Sequence, residues 1–285
     1  MHKRRYYYFV AGLADLVFDN GKNYPGMSEF RQELKNHLHP DDFYLTSLLF
    51  LPSDNKNLVS FLEGKEAEWD DPGTYSRADF EEQMRICRSI LRGKDILPGY
   101  MAQAIHRTID SQEEVNRIKL RKELADGYVN LVIRSGNDFL RKWIRYETDL
   151  NNIFTFLNAK ILSLDIDNQI IGDDLFAQEL ADLFRSEKDF PVSSFEEEYI
   201  RDIFKIATES EFLERERKID LARWNFIDTL TVFEYFTIEL ILGYLIKYSI
   251  VLRWKKLDPE TGKIMLKKFI DETESSIIER NIIEE

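Results

Sequence analysis

From Phe195 to Trp254 the chain runs sixty residues with no proline and a single glycine, Gly243. Nothing in that backbone chemistry forces a helix to stop. The later half, "WNFIDTLTVFEYFTIELILGYLIKYSIVLRW", is so rich in Trp, Phe, Tyr, Leu and Ile that little room is left for a polar face. A surface helix needs one apolar stripe, whereas a helix apolar most of the way round must be enclosed. The sequence therefore predicts an all-α, multi-helical fold around a long buried C-terminal helical segment, with Trp224 in the core and at most minor β structure.

The rest of the chain is punctuated differently. Five of the seven prolines fall in the first hundred residues, which predicts short pieces there. Phe30, Leu34 and Leu38 recur every four residues behind Ser28. Pro40, followed by Asp41 and Asp42, suits a helix first turn. The segment 55–64 reads as a short helix ending at Gly64, and 68–76 as a loop around Asp-Pro-Gly. Ser76 with Asp79 forms a capping box, behind which Phe80, Met84, Cys87 and Leu91 share a face, with Gly93 able to end the helix. Ser111 with Glu114 and Ser194 with Glu197 repeat the device. Residues 137–162 place Leu140, Ile144, Leu150, Phe154, Leu157 and Ile161 at mostly helical spacing. "YYYFVAG" and "GYVNLVIRSG" (127–136) are compatible with strand or helix, and for the first a helix start or buried extended segment is preferred. The acidic end "DETESSIIERNIIEE" fits an amphipathic helix or a frayed terminus. One helical unit over 1–285 is expected, with subdivisions 1–105, 106–190 and 191–285.

Composition narrows the function. Net charge is −13, which argues against a broad nucleic-acid footprint and against anionic lipid as the main ligand. The single cysteine, Cys87, excludes an intrachain disulfide framework and a multi-cysteine zinc site. The start "MHKRRYYYFVAGLADLVF" imitates a secretion signal, but its apolar run ends at Asp15 and opens on tyrosines, so a buried first segment is expected instead. The greasiest stretch, 226–252, is interrupted by Asp228, Glu234, Glu239 and Lys247, so no membrane span is expected.

Reactive chemistry is sparse. His37 and His39 lie two apart and do not face each other on a helix, so no metal is expected there. Cys87 sits on an apolar stripe and reads as a small hydrophobe. There is no glycine-rich phosphate loop. Asp228, Glu234 and Glu239 stand in the most apolar segment, where a charge is costly unless paired. They are expected to face Arg223, Lys247 or a base on another helix; a general acid or base among them is the enzyme alternative. Arg117, Arg121, Arg141 and Arg145, with Trp143, combine arginine and aromatic character, and are expected to form a partner-facing patch. No catalytic, cofactor-binding or metal residue is assigned.

The stretch "ERERKIDLARWNFIDTL…YFTIELILGYLIKYSIVLRWKKLDPETGK" (214–263), with "YYYFVAGLADL" (6–16), resembles a bacterial family encoded among V-type ATPase genes. Members of that family stand in for the C-type subunit of the central stalk, the counterpart of the eukaryotic d-type subunit. The resemblance implies an elongated or funnel-like helical protein seated between the central shaft and the proteolipid ring. It implies a non-catalytic central-stalk rotor subunit in ion (proton) transport. Its partners would be other V-type ATPase subunits, and its place the cytoplasmic side of the membrane, held there only through the complex. The chain is shorter than the usual C-type subunit, so a complete three-part funnel does not follow. A free-standing helical adaptor, binding another protein through 117–146, is the alternative.

Overall fold

A computed structural model describes residues 4–18, 24–64, 69, 73–89, 93–110, 116–162, 166, 168–186 and 197–256. The described residues are all-helical, with no strand. The helices are α1 (Tyr7–Gly12), α2 (Met27–His37), α3 (Pro40–Leu48), α4 (Leu51–Leu62), α5 (Arg77–Arg88), α6 (Gly99–Asp110), α7 (Arg117–Arg134), α8 (Asp138–Leu162), α9 (Leu175–Arg185), α10 (Glu198–Ala207), α11 (Phe212–Thr231) and α12 (Ile238–Lys256).

Local chemistry sets many of these boundaries. Pro40 opens α3, and the His39 side chain caps it by accepting from the Asp41 amide. Ser76 and Asp79 satisfy each other's backbone amides in a full capping box, although α5 closes at Arg88, before Gly93. Gly64, just past α4, sits at φ +65, where a side chain would be strained. The ambiguous run 127–136 belongs to helix α7 and the turn after it. Gly127 is there for space: a Cβ on it would lie 2.6 Å from the Tyr100 ring. The Ser111–Glu114 and Ser194–Glu197 pairings, Leu91 and the acidic end 271–285 fall wholly or partly outside the described residues.

α8 is the pivot. It packs against α7, α9, α10 and α12, and twelve of its twenty-five residues are buried. On one side α7 passes to α4 and α6, and α6 to α5. On the other, α10, α11 and α12 pack in sequence, and α12 returns to α3. Contacts thus cross the subdivisions expected at 105/106 and 190/191. One apolar cluster runs through the molecule, from Phe30 and Leu34 to Tyr248 and Val251.

The C-terminal third differs from one continuous pillar. It is three helices, broken at 208–211 and 232–237. Only α12 is enclosed, with buried residues on all sides from Ile238 to Val251. α11 buries only Ile219, Asp220 and Ile227, and Trp224 is half-buried. The second break comes in a run of β-branched and aromatic residues, "TVFEYFT", which crowd a helical backbone. Gly243 then lets α12 lie close on α11; a Cβ there would meet methyl groups of Ile227 and Thr231 at 2.9 Å. The first segment is also less enclosed than expected. α1 has no buried residue, though Phe9 and Val10 lean on the core.

Candidate functional site

The start of the described chain meets the turn between α11 and α12 at one corner. The Tyr6 amide donates to the Phe236 carbonyl at 2.7 Å, joining the start of α1 to the 232–237 turn. The Tyr6 hydroxyl hydrogen-bonds the buried Asp42 carboxylate and accepts from the His39 amide at 3.3 Å, which ties it to the first turn of α3. Burial, and then the Asp42 contact, push this phenol up to about 12. Arg4 reaches Asp41 at 3.0 Å and Asp42 at 3.4 Å. Farther along, the Tyr244 hydroxyl donates to the Ala14 carbonyl at 2.9 Å, and Phe18 lies edge-on to Trp224 at 6.0 Å.

Around these anchors, neighbouring side chains are held outward. Tyr8 is 97% exposed and Phe233 83%; Tyr7, Val232 and Tyr235 are also exposed. The Tyr7 ring lies 4.8 Å from that of Phe236. Phe236 has φ 62, the only positive φ on a non-glycine residue among the described residues. Such a conformation costs about 1–3 kcal/mol and persists only where the surroundings enforce it. α1 and the 232–237 turn thus leave several aromatic side chains exposed.

A partly buried charged network joins α8, α11 and the far end of α12. Arg223 on α11 grips Glu147 on α8 with two hydrogen bonds, 2.7 and 2.9 Å, and reaches Asp220 at 3.0 Å. Burial alone would lower the guanidinium, but Glu147 and then Asp220 outweigh it and hold it raised. Asp220, 1% exposed, also accepts from Arg253 and, at 2.7 Å, from the Trp254 indole on α12. Three helices are thereby locked. Tyr146 stacks on Phe226 at 4.2 Å beside this network.

The acids singled out from sequence do not converge. Asp228 pairs with Lys247 at 2.5 Å and is more than half exposed. Glu234 accepts from Thr237 at 2.9 Å in the turn, and Glu239 is buried at the start of α12. Arg223 serves Glu147 and Asp220 instead. Asp220 is inconspicuous in the sequence because it stands in the charged stretch "RERKID". Its spacing to Arg223 (i, i+3) is a local signal of a pair, one that Arg217 three residues earlier offers equally.

The patch expected over 117–146 lacks its aromatic member at the surface. Trp143 is buried, stacked on Tyr146 at 5.9 Å, and faces no partner in the isolated chain. The reason is its register: with Leu140, Ile144 and Tyr146 it belongs to the buried side of α8. Arg117, Arg121, Arg141 and Arg145 are exposed. Arg117 pairs with Glu63 at 3.5 Å, Arg141 with Asp138 at 2.8 Å, and Arg145 with Glu197 at 3.2 Å. α7 and α8 fold back on each other, which sets Arg121 and Arg141 roughly 15 Å apart along the hairpin at 1.5 Å per residue.

Among the described residues no group of His, Cys, Asp and Glu has metal-site geometry. His37 contacts the Glu33 carbonyl of its own helix at 2.8 Å. Cys87 is half-buried, with its thiol 3.7 Å from the Ala102 carbonyl, at the wall of a shallow cleft of about 420 Å³ between α5 and α6. No described helix is long and apolar enough to cross a membrane.

The family profile described as "Protein of unknown function (DUF2764)" matches residues 3–277. The chain belongs to the DUF2764 family. No curated protein and no solved structure matches it. The DUF2764 profile spans both stretches that meet at the aromatic corner, so the corner is built within the family's own extent.

Proposed function

We propose that this chain is a non-catalytic central-stalk component of a V-type rotary ATPase, joining the central shaft to the proteolipid ring. The observation that carries the reading is spatial. The two stretches that resemble the stalk-subunit family, 6–16 and 214–263, are far apart in sequence. They meet through Tyr6–Phe236 and Tyr244–Ala14, and together they present the Tyr7, Tyr8, Phe233 and Tyr235 surface. A torque adaptor must be stiff, and the Glu147–Arg223–Asp220 lock ties α8, α11 and α12 into one body. In this reading the exposed corner faces another member of the complex, and the protein is peripheral on the cytoplasmic side through that contact alone.

Native membranes carrying an affinity-tagged chain provide the test. After mild detergent extraction, the tagged chain should bring down the catalytic and proteolipid subunits in fixed ratio. Recovery wholly in the soluble fraction, with none of the ATPase subunits attached, would overturn the reading.

A further inference from the structure

The contact between α8 and α10 is built around a carboxyl group that has too few partners. Asp149 of α8 is 1% exposed. One of its oxygens accepts from the Tyr199 hydroxyl of α10 at 2.6 Å. The other has no hydrogen-bond partner. The nearest cation, Arg145 one turn earlier, stands 3.9 Å away and is itself 58% exposed and shared with Glu197. Glu197, just before α10, and Asp174, capping α9, add negative charge from two further elements. Among the described residues, α7, α11 and α12 send no ionisable side chain into hydrogen-bond or ion-pair contact with Asp149. Compare Asp220: equally buried, it is met by Arg223, Arg253 and Trp254.

We propose that proton loss from Asp149 releases α10 from α8, so that this helix is docked most tightly in acid and loosens as the pH rises towards neutrality. α10 suits such a role. It has ten residues and only two fully buried side chains, Ile200 and Ile203, so it belongs to the elements that open below the global unfolding free energy. Burial is the main cause that raises Asp149 to about 7; Tyr199 and Arg145 pull it down, Asp174 and Glu197 push it up. The sign follows from linkage. A carboxyl group raised in the docked state binds more protons there than in the open state, so docking is favoured below neutrality and weakens as pH rises towards the raised value. Nothing in this device depends on the ATPase assembly.

Hydrogen exchange of the full chain, corrected for intrinsic rates, tests it at α10. Between about pH 5.5 and about pH 8, the opening constant of α10 should rise about 30-fold, given a carboxyl that returns to its ordinary value on opening. Asp149→Asn, which keeps the shape and the Tyr199 contact, should hold α10 at its acidic-pH protection throughout. Tyr199→Phe removes the donor that favours the carboxylate, and should move the midpoint to higher pH. A wild-type α10 whose protection is flat across this range would overturn the proposal. So would an Asp149→Asn chain that keeps the wild-type slope, or a Tyr199→Phe midpoint that stays put or falls.

Discussion

Arg223 and Glu147 lie 76 residues apart and meet as a two-pronged pair, 2.7 and 2.9 Å, in the heart of the molecule. Each is about one-fifth exposed, and Arg223 serves Asp220 at the same time. Removing the guanidinium leaves two largely desolvated carboxylates without it. Breaking a buried pair from one side costs about 3–5 kcal/mol, and the residual exposure places this one at the lower end. Arg223→Met should therefore lower the unfolding free energy by roughly 3 kcal/mol in urea titration. Adding Glu147→Gln should recover part of that loss. A double variant as unstable as the sum of its two singles would mean the residues do not interact.

Gly243 tests the α11–α12 approach. A Cβ at this position would press on Ile227 and Thr231 methyl groups at 2.9 Å. Those are short side chains on a neighbouring helix, so the contact cannot be relieved by a flexible tip. Gly243→Ala gains helix propensity of about 1 kcal/mol and loses about 1–3 kcal/mol to overpacking, for a small net destabilisation. Thr231→Ser in the same chain, which removes one of the two methyl groups in the way, should recover part of the stability lost in Gly243→Ala alone. Gly12, which has nothing within 4 Å, should accept alanine without loss in thermal melts.

The greasy run around Trp224 predicts a core position; the structure leaves the residue half-buried, and the expected effect shrinks accordingly. Its ring is met edge-on by Phe18 and covered by the Lys247 ammonium at 4.6 Å. Trp224→Ala should cost roughly 2 kcal/mol, less than the roughly 3–5 kcal/mol of a fully enclosed aromatic. Lys247→Met should take only a fraction of this, because Asp228 is largely in water. Chemical denaturation distinguishes these values. A Trp224→Ala change under about 0.5 kcal/mol would mean the Phe18 contact is not made.

Local rules are legible in the sequence where local forces decide. The Ser76–Asp79 box, the Pro40 first turn and the apolar spacing of α8 each follow from a few neighbouring residues. The all-helical class follows from the same signals. Long-range relations are not legible. No pattern around Glu147 announces Arg223, and none around Tyr6 announces Phe236. The break after Thr231 is hidden because apolar residues continue through it, and composition alone does not separate a helix from a strained turn. Trp143 misleads for an identifiable reason: arginines on either side suggest a surface, but its register with Leu140 and Ile144 puts it on the buried stripe. Asp149 and Asp220 look alike in sequence as acids inside helices. Only the contacts show that one is fully met and the other is not.

The aromatic corner separates docking from stability. Phe233 and Tyr235 are 83% and 64% exposed, so replacing both with serine removes little packing. Such surface changes usually fall within about 0.5 kcal/mol. Phe233→Ser with Tyr235→Ser should therefore melt like the parent chain and, in the proposed stalk role, lose most of its recovery with the ATPase subunits, since exposed aromatic anchors account for much of an interface's affinity. Arg141→Glu supplies the contrast. That residue pairs with Asp138 beside it in the first turns of α8 and takes no part in the Tyr6–Phe236 junction, so recovery should be unchanged. The opposite pattern, with capture lost in Arg141→Glu and kept in the serine variant, would move the docking face from the corner to the first turns of α8.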